Sequence, residues 1–194
     1  MLLDATDPHD LFAAWYAEAE ASEPRVPDAV QVATVADGLP EVRTVLLKAF
    51  GPEGWWFYTN LGSPKALQLA AHPQVAVLAH WKGLERQVRA WGRAELATDE
   101  EADAYFATRS RGSQLGAWAS RQSEVLPDRA TLQERLAAVT ERFAGQAVPR
   151  PTFWGGYRVD VQRLEFWQGR PDRLHDRVLF TRFDTGWRRE LLYP

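Results

Sequence analysis

The sequence predicts a mainly β (α+β) fold, an antiparallel barrel that is closed or nearly closed and carries peripheral helices. Three observations support this class. Short β-rich runs recur along the chain, and most of them are joined by tight turns. Helical patterns occupy only a few segments between these runs. No repeat, low-complexity stretch or linker divides the 194 residues, so we expect 1–194 to form one domain, with 1–28 as an N-terminal arm and helix.

The first half of the chain predicts two helices around a run of strands. An i, i+4 apolar pattern after Asp7-Pro8 is typical of a helix. The turn Asp37-Gly38 joins two β-rich runs into a hairpin. Ser63 is a suitable N-cap, because Pro64 follows it at the first helical position. The predicted elements are a helix from Pro8 to about Glu20, strands at 29–35, 42–50 and 55–59, and a helix from Pro64 that ends at His72-Pro73.

The second half predicts a hairpin, two helices and three further strands. Polar and apolar residues alternate in the strand after Lys82-Gly83, which implies one buried and one solvent-facing side. Apolar residues from Leu132 to Phe143 recur on one side of a helix. The predicted elements are strands at 74–81 and 85–96, helices at about 99–108 and 128–143, and strands at 157–167, 177–183 and 187–192.

Composition excludes several classes of function. The chain has no cysteine, which excludes disulfides, thiolate catalysis, iron–sulfur clusters and cysteine-based zinc sites. The formal net charge of −3 does not provide the basic field of a non-specific nucleic-acid binder. The four histidines lack metal-ligand spacing, and neither a glycine-rich phosphate loop nor a G-x-S-x-G motif occurs. Without a signal peptide or a membrane-length apolar run, the chain is expected to be cytoplasmic.

The stretch Arg173-Leu174-His175-Asp176-Arg177 is the most distinctive candidate for a binding surface. In an extended segment alternate side chains point the same way, so Arg173, His175 and Arg177 would share one face. Guanidinium groups pair with phosphate or stack on rings, so this face, next to 165–169, suits a flat anionic ligand. A solvated, charged edge strand would show the same pattern, and these five residues do not separate the two interpretations.

Basic residues beside hydroxyl groups form a second candidate site. Tyr105 and Arg109 lie four apart on a predicted helix and share a face, and Ser113 lies just beyond the end of that helix. Together they could form a phosphate socket built from side chains. A surface helix that ends in an exposed arginine is the alternative interpretation.

Other cations in the sequence could meet anions of their own. Lys65 lies in the first turn of its helix, where backbone N–H groups already favour an anion. Arg43 and Lys48 flank an apolar stretch and would face opposite ways in a regular strand, so they could serve two different anions. Gln122-Ser123, in a predicted loop, could add hydrogen bonds.

Seven stretches of the chain together resemble the pyridoxine/pyridoxamine 5′-phosphate oxidase family, whose members are FMN enzymes. The stretches occur in the family's order and cover the chain from about Val30 to its end. They are 43–48 (RTVLLK), 57–63 (FYTNLGS), 84–88 (LERQV), 113–118 (SQLGAW), 153–158 (FWGGYR), 165–169 (EFWQG) and 173–177 (RLHDR).

The resemblance implies an FMN-binding split barrel and a homodimer that holds FMN between its subunits. It implies that Lys48, Tyr105, Arg109 and Ser113 bind the substrate phosphate. It implies that the catalytic residues Arg173 and His175 hold the pyridine ring of the substrate. The FMN contacts that it implies are Arg43, Thr44, Val45, Leu46, Leu47, Lys48, Tyr58, Thr59, Ser63, Lys65, Gln87, Gln122, Ser123, Trp167 and Arg177.

The reaction that the resemblance implies is the oxidation of pyridoxamine 5′-phosphate and pyridoxine 5′-phosphate to pyridoxal 5′-phosphate. Hydride passes from the C4′ carbon of the substrate to the flavin, dioxygen reoxidises the flavin, and hydrogen peroxide is released. The flavin carries the redox chemistry, so the protein needs neither a nucleophile nor a metal. The protein has to hold two phosphates and two flat rings in register.

The chain departs from the family pattern at two places. The family usually reads Ser-Arg-Lys where this chain reads Ser63-Pro64-Lys65, so one cation for the FMN phosphate is missing. The N-terminal arm is short and lacks the paired arginines that some members fold over the substrate. The first departure leads us to expect weaker FMN retention. The second leaves undecided whether the N-terminal arm closes over the substrate.

Two other functions fit parts of the sequence. A flavin oxidase of the phenazine-biosynthesis type shares the fold and the flavin, but it would not need a phosphate socket for its substrate. A non-catalytic flavin- or haem-binding split-barrel protein would not need the ring-holding pair Arg173 and His175. The intact socket and that pair therefore favour the vitamin B6 phosphate oxidase.

Overall fold

The computed structural model describes residues 2–22, 25–184 and 186–194. Within these ranges, five α-helices surround nine β-strands, and three short 3-10 turns lie at Leu2–Asp4, Lys82–Leu84 and Pro171–Arg173. The helices are α1 (Pro8–Ser22), α2 (Pro64–Ala71), α3 (Asp99–Thr108), α4 (Arg111–Ala119) and α5 (Arg129–Arg142). The strands are β1 (Ala29–Ala36), β2 (Leu39–Leu46), β3 (Ala49–Gly51), β4 (Gly54–Asn60), β5 (Gln74–Trp81), β6 (Arg86–Leu96), β7 (Trp154–Gln168), β8 (Asp176–Phe183) and β9 (Gly186–Leu191).

All nine strands form one antiparallel sheet. Its main path is β2-β1-β5-β6-β7-β4-β3, and β8 and β9 branch from β7. The branch arises because β7 is long: its first residues pair with β4, and its last residues pair with β8. In the described part of the chain, β2 and β3 end the path without pairing to each other. The sheet is therefore open, which decides between the closed and the nearly closed barrel expected from the sequence and confirms a mainly β fold of the split-barrel type.

The main core lies between the sheet and α1. Phe12 and Trp15 of α1 are buried, and the ring of Phe12 lies 4.3 Å from that of Trp55 on β4. Trp15 meets Phe166 of β7 edge to face at 5.4 Å. The i, i+4 pattern in the sequence thus marks the buried side of this helix. A smaller apolar cluster lies under the helices, and its buried members are Phe106, Leu115, Phe143, Val148 and Trp154.

Three expectations about local structure are corrected. The run 42–50 is not one strand, because β2 ends at Leu46 and β3 begins at Ala49. The segment 111–119 forms α4, which the sequence did not predict. Arg173 is not extended: it ends a 3-10 turn in which Asp172 and Arg173 have φ angles of 58° and 61°. Arg173, His175 and Arg177 therefore do not form one face of a strand, and only Arg177 lies within β8.

No helix in the described part of the chain has the length and apolar character that crossing a membrane requires.

Candidate functional site

A cavity of about 460 Å³ opens where β2, β4 and α2 meet the α3–α4 corner. It gathers eleven of the residues that the sequence singled out, and two that it did not, Ser110 and Trp154. The lining residues are Thr44, Val45, Leu46, Lys48, Tyr58, Thr59, Lys65, Tyr105, Arg109, Ser110, Ser113, Gln122 and Trp154. Most of the implied FMN contacts and all four of the implied phosphate contacts therefore share one cavity.

At one part of the cavity, Lys65 is a buried cation among neutral oxygens. The Lys65 side chain is only 8% exposed. Its Nζ donates to Thr59 Oγ1 at 3.0 Å, Ser63 Oγ at 3.1 Å and Gln122 Oε1 at 2.8 Å. Burial lowers the pKa of Lys65 to about 8, and the positive charge of Arg43 adds to the shift. In the described part of the chain, no carboxylate pairs with Lys65, so this position suits an anionic ligand.

The sequence explains how Lys65 is held there. Ser63 is the N-cap of α2 and Pro64 is its first residue, as predicted, which brings Lys65 into the first turn. The Ser63 hydroxyl makes no cap hydrogen bond and instead accepts from Lys65. Ser63 itself is fully buried and does not line the cavity. Its contribution is therefore to position Lys65.

The α3–α4 corner brings Tyr105, Arg109 and Ser113, the side chains predicted to form a phosphate socket, to one cavity. Arg109 is the C-cap of α3 rather than part of the helix, and Ser113 lies inside α4 rather than beyond a helix end. Ser110 is the N-cap of α4, and its Oγ accepts from the backbone N–H of Ser113 at 3.3 Å. The corner thus places three predicted side chains on one cavity wall, through a helix start that the sequence did not reveal.

Arg109 is the second cation of the cavity without a carboxylate partner among the described residues. Its guanidinium lies 4.7 Å from the centre of the Trp154 ring and 5.4 Å from that of Phe106. Its Nη1 is buried and makes no hydrogen bond. Burial lowers the pKa of Arg109, since desolvation disfavours the charged form. An unpaired buried donor of this kind calls for an acceptor that a bound anion would supply.

Lys48 and Arg43 are both paired with acidic side chains. Lys48 Nζ lies 2.5 Å from Asp28 Oδ2. Arg43 does not line the cavity: Nη2 lies 2.9 Å from Glu41 Oε2 and donates to Gln68 Oε1 at 3.2 Å. Nη1 of Arg43 also donates to the Thr34 hydroxyl. The two cations thus face different partners, and the contribution of Arg43 to the cavity is its charge near Lys65.

Five of the implied site residues lie elsewhere, at one end of the β6–β7–β8 segment. Gln87 pairs in register with Trp167, and Trp167 pairs with Arg177. The His175 ring lies 4.6 Å from the Trp167 ring, and its Nδ1 accepts from the backbone N–H of Arg170 at 3.1 Å. Arg173 is exposed in the turn before this group. None of the five lines the cavity within one chain.

Arg177 is held by a carboxylate that the sequence did not single out. Its Nε donates to Glu165 Oε1 at 3.0 Å, and its Nη1 donates to the carbonyl of Tyr193 at 2.7 Å. Glu165 is buried and also pairs with Arg89. Two further implied FMN contacts, Leu47 and Ser123, do not line the cavity. Leu47 is buried in the main core, and Ser123, with a φ of 71°, follows Gln122 outside the cavity.

The donor set of the cavity fits a phosphorylated ligand rather than a metal ion. Lys65, Lys48 and Arg109 supply cationic donors, and Tyr105 and Ser113 supply hydroxyl groups. Among the described residues, no group of three or more His, Cys, Asp or Glu side chains could hold a metal ion. Ring faces complete the cavity, because Tyr58 stacks on Tyr105 at 4.0 Å and lies 5.5 Å from Trp154.

A glycine permits this stacking. A Cβ atom at Gly156 would lie 2.6 Å from two atoms of the Tyr58 ring. The family motif at 153–158 could have directed attention to both Gly156 and Trp154, since a glycine inside a strand often marks a close approach of another group.

Comparisons with known families and proteins agree with this geometry. A family model described as pyridoxamine 5′-phosphate oxidase matches residues 17–143. A second, described as the pyridoxine 5′-phosphate oxidase C-terminal dimerisation region, matches residues 154–194. The second match covers β7, β8 and β9 with the turn between β7 and β8, and it includes Trp167, Arg173, His175 and Arg177 of the group that lies away from the cavity, but not Gln87 of β6.

Two curated relatives are similar over nearly the whole chain. The pyridoxine/pyridoxamine 5′-phosphate oxidase of Sphingopyxis alaskensis is 55% identical over 189 residues, which cover 97% of this chain and 88% of that protein. The protein of the same name from Rubrobacter xylanophilus is 54% identical over 194 residues, which cover 98% of this chain and 89% of that protein.

Solved structures show the same fold. PhzG from Burkholderia lata, in complex with tetrahydrophenazine-1-carboxylic acid, has a TM-score of 0.91 at 30% identity, covering 98% of this chain and 94% of that one. A pyridoxamine 5′-phosphate oxidase-related, FMN-binding protein from Nostoc punctiforme has a TM-score of 0.77 at 17% identity, covering 98% of this chain and 100% of that one. From the two family matches and the relatives above 50% identity, we conclude that this chain is an enzyme of the pyridoxamine 5′-phosphate oxidase family.

Proposed function

We propose that the protein oxidises pyridoxamine 5′-phosphate and pyridoxine 5′-phosphate to pyridoxal 5′-phosphate, with FMN as cofactor, dioxygen as electron acceptor and hydrogen peroxide as product. For the amine, the substrate, dioxygen and water give the aldehyde, ammonia and hydrogen peroxide. The observation that carries the proposal is a cavity with two cations, the buried Lys65 and the half-buried Arg109, that lack carboxylate partners among the described residues. A cofactor and a substrate that each carry a phosphate would complete both positions.

The residues of the cavity fit FMN. Lys65, with Thr59 and Gln122 beside it, would hold the cofactor phosphate, because the buried ammonium has only neutral oxygens around it. Residues 44–46 and Tyr58 would contact the rest of the molecule. When bound, FMN supplies the two-electron acceptor that the oxidation of the substrate requires.

The α3–α4 side of the cavity fits the substrate. Arg109, Tyr105 and Ser113 would bind the substrate phosphate, and Lys48 would add a further cation at the same cavity. Arg173 and His175 would hold the pyridine ring. Because these two residues lie away from the cavity of their own chain, they would have to be supplied by a second copy of the chain. Holding both molecules in register is the contribution of the protein, since positioning alone supplies much of a rate enhancement.

A homodimer would bring the two residue groups together. The dimerisation match at 154–194 covers the strands that carry Trp167 and Arg177. We infer that these residues, with Gln87, Arg173 and His175, reach the cavity of a second copy of the chain. Each of the two sites would then use residues from both subunits.

The phenazine-type oxidase is the second candidate, and it is favoured only by the high structural similarity to PhzG. The phosphate socket argues against it, because the cavity keeps Lys48, Tyr105, Arg109 and Ser113 together. A non-catalytic flavin- or haem-binding role would leave the socket without a purpose.

Purified protein tests the proposal directly. We expect a yellow protein that releases hydrogen peroxide with pyridoxamine 5′-phosphate and with pyridoxine 5′-phosphate, measured by a coupled peroxidase assay. A colourless protein that FMN does not reconstitute would contradict the cofactor assignment. A yellow protein that is inert on both substrates would favour the phenazine-type function.

The roles of Arg173 and Arg177 can be separated by substitution. We expect Arg173→Ala to lower turnover by about 10²-fold or more while the protein stays yellow, because the side chain would orient the substrate ring. We expect Arg177→Ala to weaken FMN binding itself. The measurements are kcat and the FMN dissociation constant, and loss of FMN alone in both variants would contradict this division of roles.

A further inference from the structure

The socket arginine is held by rings rather than by carboxylates. Among the described residues, Arg109 has no ion pair, and its guanidinium packs on Trp154 at 4.7 Å and on Phe106 at 5.4 Å. A guanidinium that packs through its face keeps its N–H groups in the plane of the group, free to point at an acceptor. The buried, unpartnered Nη1 is such a group.

Trp154 is itself fixed from several sides. Its ring is nearly parallel to those of Tyr58, at 5.5 Å and 7°, and Tyr105, at 6.2 Å and 8°. The ring of Phe106 meets it edge to face at 5.0 Å. Trp154 is 7% exposed, so the ring has little freedom to move.

The backbone of Trp154 is tied to the helix that ends at Arg109. Arg150 donates to the Trp154 carbonyl at 2.7 Å, and the same guanidinium pairs with Asp99 and Asp103 of α3 at 2.6 Å each. The ring and the arginine that stacks on it are therefore connected through one helix.

We propose that Trp154 is a positioning residue for phosphate recognition, whose ring holds the Arg109 guanidinium at the cavity wall with its free N–H groups directed at the substrate phosphate. The inference rests on the proposed function, in which Arg109 binds that phosphate. It assigns no bond to Trp154 itself. The indole would act by stabilising a desolvated cation that has no carboxylate to neutralise it, and by fixing the plane of its donors.

The alternative of a carboxylate partner would work less well. An acidic side chain beside Arg109 would occupy the donors that the phosphate needs and would repel the phosphate charge. A ring face stabilises the cation without competing for its N–H groups. The lowered pKa of Arg109 agrees with a cation that is desolvated before its ligand arrives.

The test compares Trp154→Phe and Trp154→Leu in the FMN-loaded protein. We expect Trp154→Leu to raise the KM for pyridoxine 5′-phosphate about tenfold, with a smaller effect on kcat, since the ring interaction is lost. Trp154→Phe keeps a ring face and should retain most of the affinity. The FMN dissociation constant should change by less than about twofold in both variants.

A matched control is Trp118→Leu. Trp118 also lies under an arginine, with the Arg142 guanidinium 4.9 Å from its ring, but it does not line the cavity. This variant loses the same kind of side chain and the same kind of contact. It should leave the KM for pyridoxine 5′-phosphate near the wild-type value.

A phosphate titration separates failure of this inference from failure of the proposed function. Inorganic phosphate is the probe, and its dissociation constant for the FMN-loaded protein is measured by calorimetry. The wild-type protein could be inert on both B6 substrates while Trp154→Leu weakens phosphate binding and Trp118→Leu does not. This result would support the positioning role of Trp154 and contradict the proposed substrate. Wild-type protein that does not bind phosphate, or equal affinity in wild type and Trp154→Leu, would overturn the positioning role.

If Trp154→Leu does not fold, a double-mutant cycle decides the question. Arg109→Lys keeps the charge but loses the planar group that stacks on a ring. Its effect on phosphate affinity is measured in the wild type and in Trp154→Met, which removes the ring but leaves a long apolar side chain in its place. We expect the two substitutions to be non-additive, since they remove parts of one contact, and strict additivity would overturn the inference.

Discussion

At the scale of single residues, the cavity depends on cations that are buried without a counter-charge. Lys65 is surrounded by Thr59, Ser63 and Gln122, which offer oxygens but no negative charge. Its pKa, lowered to about 8, reflects the cost of keeping an ammonium group out of water. A bound phosphate would restore the missing charge, so ligand affinity and Lys65 protonation are linked.

The affinity of the FMN-free protein for FMN should therefore depend on pH. Above about pH 8 the free protein loses the Lys65 charge, so we expect FMN binding to weaken, by up to about tenfold per pH unit. Quenching of flavin fluorescence measures the dissociation constant between about pH 6.5 and pH 9.5. Lys65→Met should bind weakly and show no such dependence, and a flat wild-type profile would contradict the assignment of Lys65 to the phosphate.

The lowered pKa of Lys65 makes folding stability rise with pH, whereas FMN binding weakens. The ordinary value of a lysine is 10.5, so the unfolded chain binds more protons than the folded chain between about pH 8 and that value. The contribution of Lys65 to stability thus rises with pH over the window in which FMN binding weakens. Ligand-free melts at several pH values would separate the two effects.

The residue before Lys65 gives a second prediction. Pro64 is the first residue of α2 and is exposed beside the phosphate position, and it carries no charge. Pro64→Arg should tighten FMN binding, by about five- to tenfold, because it adds a cation at a partly buried helix start. Pro64→Ala is the control, since it removes the proline ring without adding charge. No tightening in Pro64→Arg would contradict the expectation that the missing arginine weakens FMN retention.

At the scale of elements, the register of β6 on β7 decides where the site residues lie. A bulge between Trp91 and Gly92 shifts the pairing, so Gln87 and Trp167 face each other at one end while the rest of β6 follows β7 in a new register. Gly92 makes the bulge possible, because a Cβ atom there would lie 2.1 Å from the carbonyl oxygen of Asp160.

Gly92→Ala should therefore destabilise the protein. The neighbouring atom belongs to the backbone of β7, so the clash has no flexible side chain to relieve it. We expect a loss of about 2–4 kcal/mol in the free energy of unfolding. Denaturant titration at a fixed protein concentration measures it, and Gly51→Ala, where no atom lies within 4 Å of the new Cβ, is the matched control.

Helix α4 illustrates an element that the sequence could not predict. Gly112, Ser113 and Gly116 lower its helix propensity, and its apolar side, Leu115, Trp118 and Ala119, spans little more than one turn. Contacts from elsewhere hold it: Arg111 donates to the carbonyls of Phe143 and Gln146 after α5. Because the phosphate socket depends on the start of α4, the position of Ser113 could be inferred only once the tertiary structure was known.

At the scale of the whole molecule, most of the implied site residues fall into two groups within one chain. One group lines the cavity with Lys65, and the other surrounds Trp167 and Arg177. A homodimer in which each site takes one group from each subunit would explain why the motifs of one family include both groups.

Subunit complementation tests this arrangement. Lys65→Met and Arg177→Ala should each lose FMN, because each removes a contact from one half of the site. Refolding an equal mixture of the two should recover about one quarter of the wild-type FMN sites, since about half of the dimers are mixed and one of their two sites is intact. Bound FMN is measured by absorbance after gel filtration.

In the control mixture, the two single substitutions affect the same half of the site. A mixture of Lys65→Met and Lys48→Met chains forms no site free of a defect, so it should recover nothing beyond the separate variants. Equal recovery in both mixtures, or none in the first, would mean that each site is built within one chain.

The sequence by itself determined the mainly β class, most helix and strand positions, and the residue types of the site. Local patterns carry this information, because alternation, capping residues and turn residues act over a few positions. Only the tertiary structure decided that the sheet stays open, that Arg173 lies in a turn, and that Trp154 lies against Arg109. The open sheet and the packing of Trp154 depend on contacts between residues far apart in the chain, such as Gly92 with Asp160 and Arg150 with Asp99, and no local pattern records such contacts.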